Sequence, residues 1–419
     1  MANPESKRTP LAPLCLALFA CGGDVLLVRP VPATDAGTPI EGGLDLEGGS
    51  SVESSSVDAL GGVSLDPSFG MAGCVTGALA AWRPVGITLD SEGRLIVSGP
   101  SGGVSSPPAE TVLRLTSSGA LDMIFGASGS ATLPVDSDAL RQAVKSLSNG
   151  RIGVFGAAGP SSSDSQPGAF AARLNADGSV DTTFADQSAL LTASGAFSWG
   201  LWQDDGSGLV FGSTAVLRVA ATGQVDTTYA SGGTIPPATT GVFTPSGRLL
   251  TGNASRVARY LASGALDTSF GQGGLVTLTL GGEESPTIQS LLIDQVENVL
   301  VVASHPTGAS YAIDLFRLTS SGSTDTTFAS NGVASLPTIG GPVGAAPLPR
   351  GPILIWTSYG EVLELSPTGQ SLEGMWDLQV QGAVLAAALD AQQRLVVVGV
   401  STTDPLNESW FVRRYLMVL

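Results

Sequence analysis

The sequence is poor in the residues that build metal and disulfide sites. Among 419 residues it has three cysteines and a single histidine, His305. Structural zinc sites usually take four Cys or His ligands, and small disulfide scaffolds need many cysteine pairs. Both classes of protein are therefore excluded. We interpret His305 as a loop or rim residue with a structural role, and Cys74 as a buried thiol with no partner in the mature chain.

Positive charge is also scarce. Lys and Arg together number 19 against 36 Asp and Glu, giving a net charge of −17, and charged residues make up only 13% of the chain. About 25% is usual. Nucleic acids and anionic membranes are bound through basic surfaces, so we expect no nucleic-acid partner. The 55 glycines argue against long helices, and the 43% hydrophobic content argues against disorder over most of the chain.

No hydrophobic run is long enough for a transmembrane helix, which needs about 20 apolar residues. A short apolar run from Leu11 to Ala20 follows Lys7 and Arg8, a pattern typical of a secretory signal. The segment Leu18-Phe19-Ala20-Cys21 resembles the bacterial lipobox, although small or β-branched residues are commoner at the position of Phe19. The resemblance implies lipidation of Cys21, whereas the alternative is ordinary cleavage near Ala20.

This pattern divides the chain into three parts. We predict a signal peptide over residues 1–20, a lipid-anchored flexible tether over 21–64, and a folded domain over 65–419. The tether is rich in Gly, Ser, Asp and Glu and cannot bury enough apolar surface to offset the entropy of ordering. We therefore expect an exported protein that touches the membrane only through its anchor, at the outer membrane or the cell surface.

A short phrase recurs through the folded part. It consists of an Asp, two mostly small or polar residues and an aromatic residue, and we call it the Asp-aromatic turn. Six copies are clear and a seventh, from Glu373 to Trp376, is degenerate. The six pairs are Asp66 and Phe69, Asp122 and Phe125, Asp181 and Phe184, Asp226 and Tyr229, Asp267 and Phe270, and Asp325 and Phe328.

Each repeat contains four short apolar runs bounded by turn residues, clearest at 275–280, 288–293, 299–304 and 312–318. The third run is apolar on both faces, which is typical of a strand covered on both sides. Four antiparallel strands per repeat, in seven repeats, predict an all-β, seven-bladed β-propeller.

The Asp-aromatic turn has a structural explanation. The Asp side chain can accept a hydrogen bond from a backbone N–H two residues on, and the aromatic ring can fill the gap between neighbouring blades. We therefore interpret the twelve residues as structural staples. Arginines recur before the third strand of several repeats and near the end of the fourth, and we expect them to pair with these acids. A ring of arginines at one mouth of the channel that binds an anionic ligand is the alternative.

These repeats resemble the delta-60 repeat family of bacterial exported proteins. The residues that carry the resemblance are Leu266-Asp267-Thr268-Ser269-Phe270-Gly271, the pair Gly273-Gly274, Gly247-Arg248-Leu249 and Arg259. The later repeats depart from the pattern, with Pro349-Arg350-Gly351 in place of Gly-Arg-Leu. The resemblance implies a β-propeller-like repeat and no established activity.

Motifs that carry chemistry are few. Gly99 to Gly103 fits the GxSxG pattern around Ser101, but the needed context, a strand leading directly into a helix with a downstream His and acid, is missing. Asn175, Asp177 and Asp181 have the spacing of a short calcium loop, although an ordinary Asn or Asp turn into Gly explains them as well. We therefore predict no catalytic residue and no cofactor, with calcium as the single candidate ion.

The sequence favours a monomeric, non-enzymatic binding scaffold whose ligand it does not identify. An envelope or extracellular protein, or a glycan, is the expected class of partner. The alternatives are a propeller enzyme, such as a hydrolase or a quinone-dependent oxidoreductase with a metal or cofactor at the central channel, and a structural spacer.

Overall fold

The computed structural model describes residues 62–78, 82–101, 109–133, 135, 142–158, 168–184, 196–280, 285–307, 310–338, 340–348, 351–401 and 409–418. Every regular element in these ranges is a β-strand, and no helix capable of spanning a membrane is found there. The predicted signal peptide, Cys21 and nearly all of the predicted tether lie outside these ranges. The described residues form two compact units, one comprising 67–238 and 398–413 and the other 62–66, 239–397 and 414–418.

Strands β1 (Gly62–Leu65) and β2 (Cys74–Ala78) begin the described chain. The first unit then contains three antiparallel sheets whose strands follow chain order. Their strands are β3 (Gly86–Leu89), β4 (Leu95–Ser101), β5 (Ala109–Leu115) and β6 (Ser130–Leu133); β7 (Gln142–Ser146), β8 (Ile152–Ala158) and β9 (Gly168–Leu174); and β10 (Phe197–Trp202), β11 (Gly208–Gly212), β12 (Val216–Val219) and β13 (Thr234–Ile235).

The second unit contains three four-stranded sheets of the same kind. Their strands are β14 (Thr240–Phe243), β15 (Leu249–Asn253), β16 (Arg256–Tyr260) and β17 (Leu275–Thr277); β18 (Thr287–Ile293), β19 (Val299–Thr307), β20 (Ser310–Leu318) and β21 (Val333–Thr338); and β22 (Pro342–Pro347), β23 (Ile353–Thr357), β24 (Glu361–Leu365) and β25 (Ser371–Asp377).

The last sheet joins the two ends of the folded chain. It contains β26 (Gly382–Leu389), β27 (Leu395–Ser401) and β28 (Ser409–Val418), and both β1 and β2 pair with β28. Gly62 lies opposite Val418, and Cys74 lies opposite Arg413. Seven antiparallel sheets, most of them four-stranded, confirm the predicted seven-bladed β-propeller fold.

The sequence repeat and the sheet are out of register by one strand. The run at 275–280 opens a sequence repeat, but its strand β17 closes the sheet that begins with β14. The reason is that the Asp-aromatic turn connects the third strand of a sheet to its own fourth strand. Strand β1 also begins three residues inside the predicted tether.

The second strands of the sheets are largely apolar and buried. All of β11 is buried, as are Val299 to Ala303 of β19. Between the second and third sheets of the first unit, the rings of Phe155 and Trp202 stack with centroids 3.9 Å apart. In the second unit, Phe270 and Phe328 are buried in the two cores between successive sheets. The cores of each unit therefore lie between successive sheets, and Phe270 and Phe328 are part of them.

Each sheet has two distinct ends. We call the end that carries the Asp-aromatic turn and the short connection from first to second strand the turn end. The opposite end, with the connection from second to third strand, is the loop end. Because Gly62 pairs with Val418 and Leu65 with Tyr415, β1 enters its sheet from the turn end.

The close approach of Gly77 to Trp410 gives a test of this packing. A Cβ atom at Gly77 would lie 2.6 Å from the indole ring of Trp410, whereas nothing lies within 4 Å of one at Gly62. We expect Gly77→Ala to lower the free energy of unfolding by about 1–3 kcal/mol through overpacking. Gly62→Ala, also in a strand that pairs with β28, is the matched control and should be close to neutral. Equal denaturation midpoints for the two variants would contradict the packing described.

Candidate functional site

The Asp-aromatic turn at Asp181 shows how the repeated residues are held. Arg173 donates from Nε to Asp181 Oδ2 at 2.7 Å, and Thr183 donates to Oδ1 from its backbone N at 3.0 Å and its hydroxyl at 2.6 Å. Burial opposes ionisation of Asp181, but these hydrogen bonds and the charge of Arg173 outweigh it and lower the pKa to about 2. The carboxylate is therefore fully ionised at neutral pH.

The same contact recurs in four other turns, and the predicted pairing of arginine and Asp is confirmed for them. The Nε to Oδ2 distances are 2.7 Å for Arg114 and Asp122, 2.9 Å for Arg259 and Asp267, 2.7 Å for Arg317 and Asp325, and 2.7 Å for Arg414 and Asp66. At Asp226, Asp267 and Asp325, a hydroxyl two residues on is the main cause of a lowered pKa, and a nearby arginine adds to it.

A second arginine, from the connection between the first two strands, joins three of these pairs. Arg151 lies 3.4 Å from Asp181, Arg248 3.2 Å from Asp267, and Arg394 3.1 Å from Asp66. Both arginine positions noted in the sequence therefore converge on the acid of the turn.

Most of these turns also contact the next sheet of their unit. Arg114 Nη1 donates to the carbonyl of Ala176 at 2.6 Å, and its guanidinium carbon lies 4.4 Å from the centre of the Phe125 ring. The backbone N of Gly126 donates to Asp177 O at 2.7 Å, and a Cβ at Gly178 would meet the Phe125 ring at 2.9 Å. One guanidinium thus joins an acid, an aromatic ring and the neighbouring sheet.

The contact with the next sheet repeats in both units. Its members are Arg173 Nη1 to Ala221 O at 2.8 Å, Arg259 to Ser320 O, Arg317 Nη1 to Pro367 O at 2.6 Å, and the backbone bonds from Gly70 to Ser118, Gly271 to Ser321 and Ala329 to Thr368. The degenerate seventh phrase differs, because Glu373 and Trp376 lie within strand β25 and form no turn.

The calcium candidates belong to this network. Asp181 Oδ1 and Oδ2 both accept hydrogen bonds, as described above. Asp177 Oδ1 accepts from the backbone N and the hydroxyl of Ser179 at 2.9 and 2.7 Å, which lowers the pKa of Asp177, and Asn175 Nδ2 donates to the same hydroxyl. The described residues contain no group of three or more His, Cys, Asp or Glu that could hold a metal. Calcium at this turn stays a prediction.

Three acidic residues that were not predicted from the sequence are buried toward the loop end. Glu110, Asp314 and Glu361 lie in the third strands of their sheets and are at most 4% exposed. Glu110 accepts from Gln142 Nε2, and Glu361 accepts from Thr357 Oγ1 at 3.0 Å and from the backbone N of Gly340 at 3.2 Å. Buried carboxylates need such donors because they lose their hydration.

His305 is part of the cluster around Asp314. It lies within strand β19 rather than in a loop, so that part of its interpretation was wrong. His305 Nδ1 is 2.5 Å from Asp314 Oδ2, and Ser335 Oγ donates to Asp314 Oδ1 at 2.6 Å. A hydrolytic triad places the imidazole between the hydroxyl and the acid, whereas here both groups bind the acid. The cluster therefore does not activate Ser335 as a nucleophile.

The structure also shows the surroundings of Ser101 and Cys74. Ser101 ends strand β4 of an antiparallel pair, with its hydroxyl 2.6 Å from Thr111 Oγ1, which is not the strand-to-helix geometry of a nucleophile elbow. Cys74 is buried at the start of β2 and is disulfide-bonded, with its partner outside the described residues. The prediction of an unpaired thiol was wrong.

The loop end carries the clearest accessible aromatic ring. Tyr359, between β23 and β24, is 56% exposed, and a Cβ at Gly340 would lie 3.0 Å from its ring. Glu361 and Thr357 flank it in sequence and fix the strand ends beneath it. We take this loop end, around Tyr359, as the candidate binding surface of the second unit.

The ion pair between Asp181 and Arg173 can be tested by substitution. We expect Asp181→Asn to lower the free energy of unfolding by about 1–3 kcal/mol, because Arg173 loses its charged acceptor while buried. Asp177→Asn, at an exposed position, is the matched control.

The pH dependence follows from the pKa of about 2 for Asp181. A lowered pKa in the folded state adds stability above about pH 4, where the unfolded carboxyl ionises, and this is lost as pH falls toward 2. The difference between wild type and Asp181→Asn in urea denaturation should therefore shrink between pH 5 and pH 2. A difference independent of pH would contradict the ionised pair.

Comparison with known proteins bears on the fold. A family model described as a domain of unknown function (DUF5122) β-propeller matches residues 147–184 and 241–270, and each match ends at the aromatic residue of an Asp-aromatic turn. No curated protein matches the sequence. Among solved structures, the WD40 β-propeller domain of Doa1 is similar over 80% of this chain and 93% of that chain, with 10% identity and a TM-score of 0.46. The family match supports a β-propeller repeat family, and the more specific delta-60 resemblance stays a prediction.

Proposed function

We propose that the protein is an exported lipoprotein, anchored through Cys21, whose β-propeller acts as a non-enzymatic binding scaffold. The partner is an envelope or extracellular protein or a glycan, bound at the loop end of the sheets. The observation that carries this proposal is the direction in which the chain enters the last sheet.

Strand β1 enters that sheet from its turn end, where Gly62 lies opposite Val418. A tether that precedes Gly62 therefore approaches from the turn end. The loop end of this sheet faces away from the anchor, which is the orientation that a surface scaffold needs.

Connection lengths support the same assignment. Seven residues separate β4 from β5, nine separate β8 from β9, and seven separate β27 from β28, all at loop ends. At the turn end, five residues separate β3 from β4, and the fourteen residues between β5 and β6 contain the Asp-aromatic turn, which contacts the next sheet. Long connections on a rigid scaffold commonly carry binding residues.

Lipidation is tested by feeding cells an alkyne analogue of palmitate and by mass spectrometry of the mature N-terminus. We expect wild type to be labelled and Cys21→Ser to be unlabelled. One sulfur atom cannot be both acylated and disulfide-bonded, so a Cys21–Cys74 peptide in a non-reduced digest of the exported protein would contradict the anchor. Cys74→Ser is the control and should keep the label.

Binding at the loop end is tested by photo-crosslinking in intact envelopes. A benzophenone amino acid replaces Tyr359 at the loop end or, as the matched control, Val296, which is 73% exposed at the turn end of a sheet in the same unit. We expect a protein or glycan adduct only from position 359. Adducts from neither position would favour the structural spacer, and protein adducts only from position 296 would place the binding surface at the turn end.

A further inference from the structure

Two neighbouring turns of the first unit expose apolar side chains. Met123 and Ile124, within the turn that starts at Asp122, are 63% and 80% exposed, and Met71, just after the turn that starts at Asp66, is 58% exposed. All three lie at the turn end of their sheets. They are three of the four exposed large hydrophobic residues in the described part of this unit.

The corresponding positions in the other turns are polar. Where the first sheet has Ile124, the other turns have Ser68, Thr183, Thr228, Ser269 and Thr327. The hydroxyls of the last four each donate to the Asp of their own turn at 2.6 Å. An isoleucine gives up that hydrogen bond and exposes apolar surface to water. Neither change stabilises the fold, so the substitution points to a contact outside the chain.

Met71 likewise stands at a position where the other turns have no large apolar residue. It comes two residues after the aromatic of its turn, where the other turns have a small or polar residue: Ala127, Asp186, Ser231, Gln272 or Ser330. The two turns are linked directly, because Gly70 N donates to Ser118 O at 2.7 Å and a Cβ at Gly119 would lie 3.0 Å from the Phe69 ring. Met71, Met123 and Ile124 therefore lie in or beside two turns of neighbouring sheets that are linked to each other.

These turns are also the ones nearest to the predicted anchor. Met71 lies nine residues after Gly62, where β1 begins and the tether ends. A flexible tether of about 40 residues has a typical span of roughly 35 Å, so an anchored chain keeps this end near the bilayer. The net charge of −17 gives no attraction to anionic headgroups, and contact with lipid must rely on apolar side chains.

We infer that Met71, Met123 and Ile124 form a membrane-contact surface that inserts into the interface of a zwitterionic lipid bilayer. The inference rests on the proposed anchor at Cys21. It adds that the turn end of the first unit lies on the membrane, so that the anchor is not the single point of contact.

The test uses the full-length lipoprotein bound to phosphatidylcholine vesicles, with a benzophenone amino acid in place of Ile124 or of Tyr359. We expect phospholipid adducts, detected by mass spectrometry, from position 124 and at least threefold fewer from position 359. With the probe at position 71, the double variant Met123→Thr/Ile124→Thr should lower the lipid adduct at least threefold. That variant should not lower the melting temperature, because a threonine at 124 can donate to Asp122 as Thr183 does to Asp181.

The remaining outcomes separate this surface from the anchor. Vesicle binding that depends on Cys21, without lipid adducts at 124, would overturn the surface and leave the anchor intact. Lipid adducts at 124 from a Cys21→Ser protein would support the surface and contradict the anchor as the cause of membrane binding. Adducts at 124 with a second protein chain, in place of lipid, would overturn the lipid assignment.

Discussion

The contact between a buried arginine and the Asp of the following turn holds each blade of this protein to the next in its unit. In the turn at Asp122, the Nε of Arg114 binds the acid, its Nη1 binds a carbonyl of the next sheet, and its planar face covers the ring of Phe125. A buried ion pair adds little net stability by itself, since desolvation offsets the attraction. Its value here is geometric, because one planar group fixes the turn, the ring and the neighbouring sheet at once.

The sequence predicts this part of the structure well, and the reason is repetition. The acid, the aromatic residue and the arginine recur in fixed order, so a single interpretation applies to six turns. The pairing of strands into sheets is harder to predict. Sequence marks the turn as the start of a repeat, whereas hydrogen bonding assigns the run after the turn, such as 275–277, to the preceding sheet. Nothing local in the sequence distinguishes these two assignments.

The loop-end acids could not be predicted from a repeating pattern because each occurs in its own context. Asp314 stands in the run from Ala312 to Phe316, which is otherwise apolar, and a lone acid in such a run was the available signal. Its partners, His305 and Ser335, come from two other strands, so their convergence depends on register. The pairing of β1 with β28 is equally hard to predict, since it joins residues 350 or more positions apart.

Positive charge is scarce in the sequence, and most of the arginines that are present form ion pairs with acids. Nine arginines of the described ranges bind acids in the turns or in the short connections beside them: Arg94, Arg114, Arg151, Arg173, Arg248, Arg259, Arg317, Arg394 and Arg414. Because these guanidinium groups already face carboxylates, they contribute little positive potential to the surface. An arginine ring that captures an anion is accordingly disfavoured. If the protein is the binding scaffold that we propose, recognition depends on apolar contact, hydrogen bonding or cations rather than on attraction to negative charge.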